Sequence, residues 1–463
     1  MSAIAPIDCE NHLIFMHPDY AGCLLLQSSQ GWHLPVMHEG QRRLWQELGH
    51  LHAWLERQKI PATILRCVDL AYQPDRELVS KVYGVLLRDV AWVPPAGARW
   101  VTQAELDDLA FLHESHRALL HAWFRWYTGD PSALRPPWYQ PDWYGQALAW
   151  ANTSLTRLGL TPTGAPTQVR SWQRSAMLRF PTAEGEIYMK AVLPIFRHEP
   201  GLTAALAQQH PGYVAQPLTL DPVRGWMLMA ELPGPKLATL REEDDLPHWE
   251  AALARLAELQ LASVPRYAEL RALGLPEYPL ERLAARLEPL LADPAAALPD
   301  RPAGLSPSEW TALQHLATRV ATLSTQLAAY DLPTALEHGD LWAGQVIVGP
   351  QGSSFLDWSA SSLTHPFFSL LLFLVEIEDF FPRERGIRER LRDAYLEPWG
   401  AYARGAKLTQ AFELAQPLAA LHHALIYHRI VLPNLEIKWE LELLLPFYLK
   451  MALRLQPDYT NYP

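Results

Sequence analysis

The sequence predicts an α+β protein of more than one domain. Three features carry that expectation. Short apolar runs split by turn residues fill roughly the first 130 positions and return at 167–193. Amphipathic stretches of helical period dominate from 246 onward. Between helical stretches lies a polar loop entering a hairpin, at 337–357. At 463 residues the chain exceeds one domain of ~150 residues. Hydrophobic residues at 49% and charged ones at 19% suffice for a packed core. The 40 prolines and 18 tryptophans predict packed lobes joined by stiff loops.

Charge and composition exclude several classes. A net charge of -11 argues against a nucleic-acid binder held by phosphate contacts. Cys9, Cys23 and Cys67 are odd in number and lack metal-ligand spacing, which fits a reducing cytoplasm. The chain opens without a charged-then-apolar signal, so export is not expected. The apolar run 367–375 is far shorter than the ~20 residues of a membrane span. No internal repeat or low-complexity tract is present.

In chain order, 13–16 and 23–26 read as strands separated by the turn signal His17-Pro-Asp-Tyr-Ala-Gly22. Gly31-Trp-His-Leu-Pro35 follows. Leu44, Leu48, Leu51 and Leu55 recur at helical spacing and predict a helix over 41–59. Residues 82–87 read as a strand, and 99–102 lead into a turn of helix capped by Thr102. The run of Leu24-Leu-Leu-Gln27, Trp32-His-Leu-Pro35, a helix and Trp100-Val-Thr-Gln-Ala-Glu-Leu106 resembles a Nudix fold, an α/β module, over residues 1–130. Nudix hydrolases carry a Mg²⁺-binding acid cluster on that helix. Here only Glu47 and Glu56 are available, on opposite sides, so the resemblance implies a non-catalytic domain. An unrelated small α+β domain is the other reading.

Residues 131–142 hold Pro131, Pro136, Pro137 and Pro141, a semi-rigid linker. Trp138, Tyr139, Trp143 and Tyr144 suggest that it packs on a surface. With the helix 144–158 ending at Gly159, it forms a segment over 131–160. Strands are expected at 167–172, 176–180 and 186–193, the last two joined by Pro181-Thr-Ala-Glu-Gly185. Lys190 lies inside the apolar run Ile187-Tyr-Met-Lys-Ala-Val192, where a lysine needs a reason; an edge-strand lysine pointing to water is the plain one. A helix is expected over 199–209 and a strand over 226–232 before Pro233-Gly-Pro235. Amphipathic helices follow at 246–263, at 280–288 with Pro289 interrupting, and at 308–330.

The most informative stretch is Glu337-His-Gly-Asp-Leu-Trp-Ala-Gly-Gln-Val-Ile-Val348, followed by Phe355-Leu-Asp-Trp358. It reads as a polar loop entering a hairpin that turns at Gly349-Pro-Gln-Gly352. Asp340, Gln345 and Asp357 then surround one hairpin. A carboxylate can orient an attacking hydroxyl, and an amide oxygen with a second carboxylate can hold Mg²⁺ against phosphates. Taken singly, each acid is also an ordinary loop cap.

This stretch resembles the catalytic loop of the aminoglycoside phosphotransferase and choline kinase group, whose fold is protein-kinase-like and bilobal. That group has His-Gly-Asp-x-x-x-x-Asn and then an Asp-Trp or Asp-Phe element. The resemblance implies Asp340 as the catalytic base and Asp357 as the metal-binding acid, with His338 and Gly339 shaping the loop. Gln345 stands where the group has Asn. Leu341-Trp342 is also similar to fructosamine kinases, and Gly344-Gln345-Val346 to maltokinases, which likewise have Gln there.

The resemblance further implies a small lobe over 161–237 and a helical large lobe over 238–463. Lys190 would meet the ATP phosphates with Glu199 as its ion-pair partner. Ser175 and Arg174, in Ser171-Trp-Gln-Arg-Ser175, would cover those phosphates, although that loop lacks the family's flexibility because it has no glycine. Glu231 and Leu232 would take the adenine edge through their backbone. Ser361-Ser-Leu-Thr-His-Pro366 resembles a family segment often followed by an anchoring Asp; here Phe367, Phe368 and Ser369 follow instead. Glu376, Glu378 and Asp379 either line an acceptor pocket or form a solvated helix end. His422, His423 and His428 are poorly spaced for a metal and read as packing or substrate-side residues. The implied function is a cytoplasmic small-molecule kinase using ATP and Mg²⁺, with an unnamed acceptor and neither nucleic acid nor membrane as partner. Gln345, the glycine-free loop and the missing Asp leave a pseudokinase sensor or scaffold as the alternative.

Overall fold

The computed structural model describes residues 8–41, 43–73, 77–375 and 377–456. The chain divides into two compact units, Met1–Leu193 and Pro194–Pro463.

The first unit opens with a mixed sheet. Its strands are β1 (Asp8–Met16), β2 (Gly22–Ser28), β3 (Gly31–His33) and β4 (Val36–Glu39). After helix α1 (Gly49–Arg57) come β5 (Ala62–Gln73), β6 (Leu78–Leu87) and β7 (Ala98–Thr102). The path is β3-β2-β1-β6-β5, with β4 on β1 and β7 on β2; β1 and β6 run parallel. Helix α2 (Ser115–Thr128) covers one face, packing Leu120, Trp123 and Phe124 against Ile14, Leu25, Leu65 and Val82. Gly84 of β6 makes that approach possible, because a Cβ there would lie 2.1 Å from the Trp123 ring. After α3 (Trp143–Leu158), β8 (Thr167–Ser171), β9 (Ser175–Thr182) and β10 (Gly185–Val192) form an antiparallel meander.

Two expectations for this unit are corrected. The helix expected over 41–59 is confined to Gly49–Arg57. The preceding residues are drawn into pairing with β8: the Leu48 N–H donates to Val169 O at 2.9 Å and the Ser171 N–H to Gln46 O at 3.2 Å. Glu47 therefore sits in an extended bridge to Arg170 rather than on the helix with Glu56. The long strand β5 escaped notice because Arg66 interrupts its apolar pattern. That guanidinium is buried and lies 4.4 Å from the Trp126 ring centroid, an aromatic shelter for the charge. Trp138, Tyr139, Trp143 and Tyr144 of the proline-rich segment are all buried. Glu105 accepts from the Thr102 N–H at 2.8 Å and from its hydroxyl at 2.7 Å at the cap expected there.

The second unit begins with α4 (His198–Gln209) and the hairpin β11 (Pro217–Asp221) and β12 (Trp226–Ala230). Helices α5 (Leu246–Ser263), α6 (Tyr267–Ala272), α7 (Leu283–Leu291) and α8 (Pro307–Ala328) follow. Ser306 caps α8, accepting from the Glu309 N–H at 3.2 Å while Glu309 accepts from the Ser306 N–H. Pro289 does not interrupt α7, which runs two residues past it. The polar loop is framed by two short ladders: β13 (Ala335–Glu337) with β16 (Ser362–Thr364), and β14 (Val346–Gly349) with β15 (Gly352–Phe355). Helices α9 (Ile377–Phe380), α10 (Ile387–Leu396), α11 (Gly405–Ile426) and α12 (Leu444–Arg454) complete the chain. Glu376 lies outside the described residues. Among those described, no helix is long and apolar enough to cross a membrane. Cys9, Cys23 and Cys67 are buried free thiols, and burial pushes Cys23 and Cys67 up to about 12.

Candidate active site

The hairpin β14–β15 sets the geometry. Its apolar residues Val346, Ile347 and Phe355 are buried, and Gly352 supplies the left-handed turn at φ +101°. Val346 pairs with Phe355, and one further hydrogen bond, from the Leu356 N–H to Gln345 O at 2.8 Å, extends the ladder. Gln345 and Asp357 therefore lie at the same open end. Asp357 adopts the left-handed conformation at φ +60°, uncommon outside glycine but tolerated by Asp. Its Oδ1 accepts from the Ser359 hydroxyl at 2.7 Å.

Asp340 is brought to this end by the loop that begins at His338. The buried His338 imidazole packs at a 45° tilt 4.6 Å from the Trp358 ring, and its Nε2 lies 2.9 Å from Leu356 O. A carbonyl only accepts, so Nε2 carries the proton. Next, Gly339 has φ +79° and rests on Ala360, where a Cβ would lie 2.1 Å from the carbonyl oxygen. The His-Gly pair thus presses the Asp340 loop onto the Asp357 turn. Leu341 is buried beneath it, while Trp342 is half-exposed and covers Gly344.

After Pro366 it is Ser369, one of the three residues noted in the anchoring acid's place, that supports the loop. Its hydroxyl accepts from the His338 N–H at 3.2 Å and from Gln260 Nε2 at 3.0 Å. Gln260, on α5, also donates to Leu336 O at 2.9 Å, and its Oε1 accepts from the Tyr395 hydroxyl at 2.5 Å. The signal available for Gln260 was a polar residue beside the apolar stripe of Leu253, Leu256 and Leu259; for Ser369 it was its place soon after Pro366. Glu337, immediately before the loop, was also passed over. It is fully buried, and burial raises its pKa.

The other candidates distribute as follows. Glu199 is buried in the first turn of α4, which packs on the Trp358–Ala360 turn. Glu231 and Leu232 follow β12. The chain then passes Pro233-Gly-Pro235 against β14, where the Val348 N–H donates to Pro235 O at 2.9 Å. In the first unit, Lys190 pairs with Met177 on β9 and is buried rather than pointing to water. Arg174 and Ser175 are buried; Arg174 lies 5.5 Å from the Trp172 ring, and Ser175 begins β9 opposite Val192. Glu378 and Asp379 are exposed on α9, as a solvated helix end. His422 and His423 are buried and His428 is partly exposed on a π-turn. Among the described residues no group of three or more His, Cys, Asp or Glu side chains is arranged to hold a metal by itself.

Residues 168–408, just over half of the chain, match the phosphotransferase enzyme family. Among solved structures, a choline/ethanolamine kinase family protein from Mesorhizobium loti is 16% identical, with 67% of this chain and 96% of that one covered and a TM-score of 0.46. An ethanolamine kinase from Plasmodium vivax is 12% identical, covering 79% and 96%, with a TM-score of 0.46. An aminoglycoside phosphotransferase from Streptomyces rimosus, solved with ADP and streptomycin, is 20% identical, covering 58% and 98%, with a TM-score of 0.36. No curated protein matches the sequence. The assignment rests on the family match: the α+β chain, of the kinase-like class, belongs to the phosphotransferase enzyme family and is a phosphotransferase.

Proposed function

We propose that the chain is a small-molecule kinase that transfers the γ-phosphoryl group of ATP to a hydroxyl of a small acceptor. The observation that carries this reading is the single hairpin end that holds Gln345 and Asp357 beside the loop of Asp340. In this reading Asp340 orients the acceptor hydroxyl and receives its proton. His338 and Gly339 hold its loop in place. Lys190 meets the nucleotide phosphates, Glu199 orients that lysine, and Arg174 and Ser175 supply further phosphate contacts. The backbone at Glu231 and Leu232 takes the adenine edge.

Asp357 and Gln345 fit Mg²⁺. Both offer oxygen, and Mg²⁺ takes only one or two protein carboxylates, filling its octahedron with water and phosphate oxygens. When bound there, Mg²⁺ supplies neutralisation of the phosphate charge. We further infer that residues 1–130 form a Nudix-like domain without its own catalysis, 131–160 a linker and helix, 161–237 the small lobe and 238–463 the large lobe.

The test is phosphate transfer from Mg²⁺-ATP to a panel of sugars, amino-sugars and amino-alcohols, with wild type and Asp340→Asn in parallel. Turnover with at least one acceptor, falling by roughly 10²–10⁴ in Asp340→Asn, is expected. Nucleotide binding without turnover on any acceptor would favour the sensor or scaffold reading.

A further inference from the structure

Glu337 closes β13, one residue before the His338-Gly339-Asp340 turn, and has no exposed surface. It faces Ser362 across the β13–β16 ladder, and the Ser362 hydroxyl donates to its Oε2 at 2.7 Å. On another side, α11 presents His422 and His423, whose Nε2 atoms lie 3.8 Å from Oε2 and 3.7 Å from Oε1. Those separations are too long for hydrogen bonds. Burial pushes His423 down to about 4 and His422 well below its ordinary value, so both rings are neutral near pH 7. His422 packs on Tyr278 and Phe368, and His423 on Tyr448.

A buried carboxylate beside two neutral rings is an expensive way to fill space. An apolar side chain of similar size would cost the fold less. Its hydrogen bond to Ser362 is more informative than its burial. Ser362 follows Ala360 by two residues, and Gly339 is the residue pressed against Ala360. One carboxylate therefore ties together the two segments whose close approach sets the turn.

We propose that Glu337 is a positioning residue: bonded to Ser362 across the β13–β16 ladder, it fixes the strand ends from which the Gly339 and Ala360 segments run, and so the turn that carries Asp340. This rests on the reading of Asp340 as the group that orients the acceptor hydroxyl. Glu337 itself touches neither nucleotide nor acceptor.

The test uses the full chain as wild type, Glu337→Gln, Glu337→Leu, Ser362→Ala and Asp340→Asn. The readouts are kcat and KM for Mg²⁺-ATP, with water or the best acceptor, and rates are expressed per ATP-binding site by titration. Glu337→Leu should lower kcat by roughly tenfold to a hundredfold, the size of a misplacement near an ångström, with KM for ATP unchanged. Glu337→Gln keeps an accepting oxygen and should recover most of the rate. Ser362→Ala should fall between them. A merely structural role would lower the number of binding sites and leave kcat per site alone. Wild-type kcat in Glu337→Leu and Ser362→Ala, with Asp340→Asn inactive, overturns this proposal and leaves the kinase reading standing. Wild-type turnover in Asp340→Asn overturns both. Should Glu337→Leu fail to fold, the Ser362→Ala and Glu337→Gln pair decides by the same criterion.

Discussion

Replacing Gly339 by Ala tests the close approach on which the site depends. At φ +79° an added Cβ would lie 2.1 Å from Ala360 O, 2.6 Å from its carbonyl carbon and 2.9 Å from its Cβ. Two of those atoms are backbone, so no side-chain rotation relieves the contact. The loop must retreat by roughly an ångström, a displacement that costs about 10²-fold when it reaches a catalytic group. The left-handed backbone adds roughly 1–2 kcal/mol of strain for any residue with a Cβ. Gly159→Ala is the control. It has φ +71° at the end of α3, but nothing lies within 4 Å of its Cβ, so it bears the backbone strain alone. Both variants should lose thermal stability by differential scanning calorimetry, and only Gly339→Ala should lose phosphotransfer. Gly339→Ala with turnover within about twofold of Gly159→Ala would refute the reasoning.

Other predictions concern the surroundings of the site. Ser369→Ala leaves the buried His338 N–H without its acceptor and should cost about 1–3 kcal/mol of unfolding free energy, measured by urea denaturation. Lys190→Met preserves bulk in the β10 run and should weaken ATP binding while β9–β10 pairing, followed by hydrogen exchange, is kept. Acid should destabilise the protein early. Burial holds His12, His116, His198 and His423 down to about 4 and His365 to about 3. Folded pKa values below the unfolded ~6.5 mean that the unfolded chain binds more protons as pH falls. The stabilisation is whole above ~6.5 and is lost progressively toward pH 4, so Tm should fall through that window. A Tm flat from pH 7 to 5 would contradict the buried, neutral state of these rings.

How much the sequence disclosed depended on how local each interaction is. The hairpin at 346–355 was legible because its apolar residues flank a Gly-Pro-Gln-Gly turn within ten positions. With it came the neighbourhood of Gln345 and Asp357, since strand pairing fixes which residues share an end. The helices over 246–263 and 308–330 followed from apolar spacing. By contrast, Gln260 and Ser369 lie far apart in the chain and meet only through the packing of α5 on the segment after Pro366. Beyond its place soon after Pro366, nothing in the local pattern of Ser369 marks it as the support of a distant loop. Glu337 was hidden in another way: an acid next to a polar loop looks solvated until the ladder to Ser362 and the helix α11 enclose it. Leu44 and Leu48 had helical spacing, but β8 took the backbone hydrogen bonds of Gln46 and Leu48 instead.

The most direct test of the site is calorimetric titration with ATP, with and without Mg²⁺, of the wild type and Asp357→Asn. Asn tolerates the left-handed backbone at this position and removes only the charge. Binding that requires Mg²⁺ in the wild type and weakens by roughly tenfold or more in the variant is expected for an acid that holds the metal. ATP affinity unchanged by Mg²⁺, or unchanged by the loss of the Asp357 carboxylate, would contradict it.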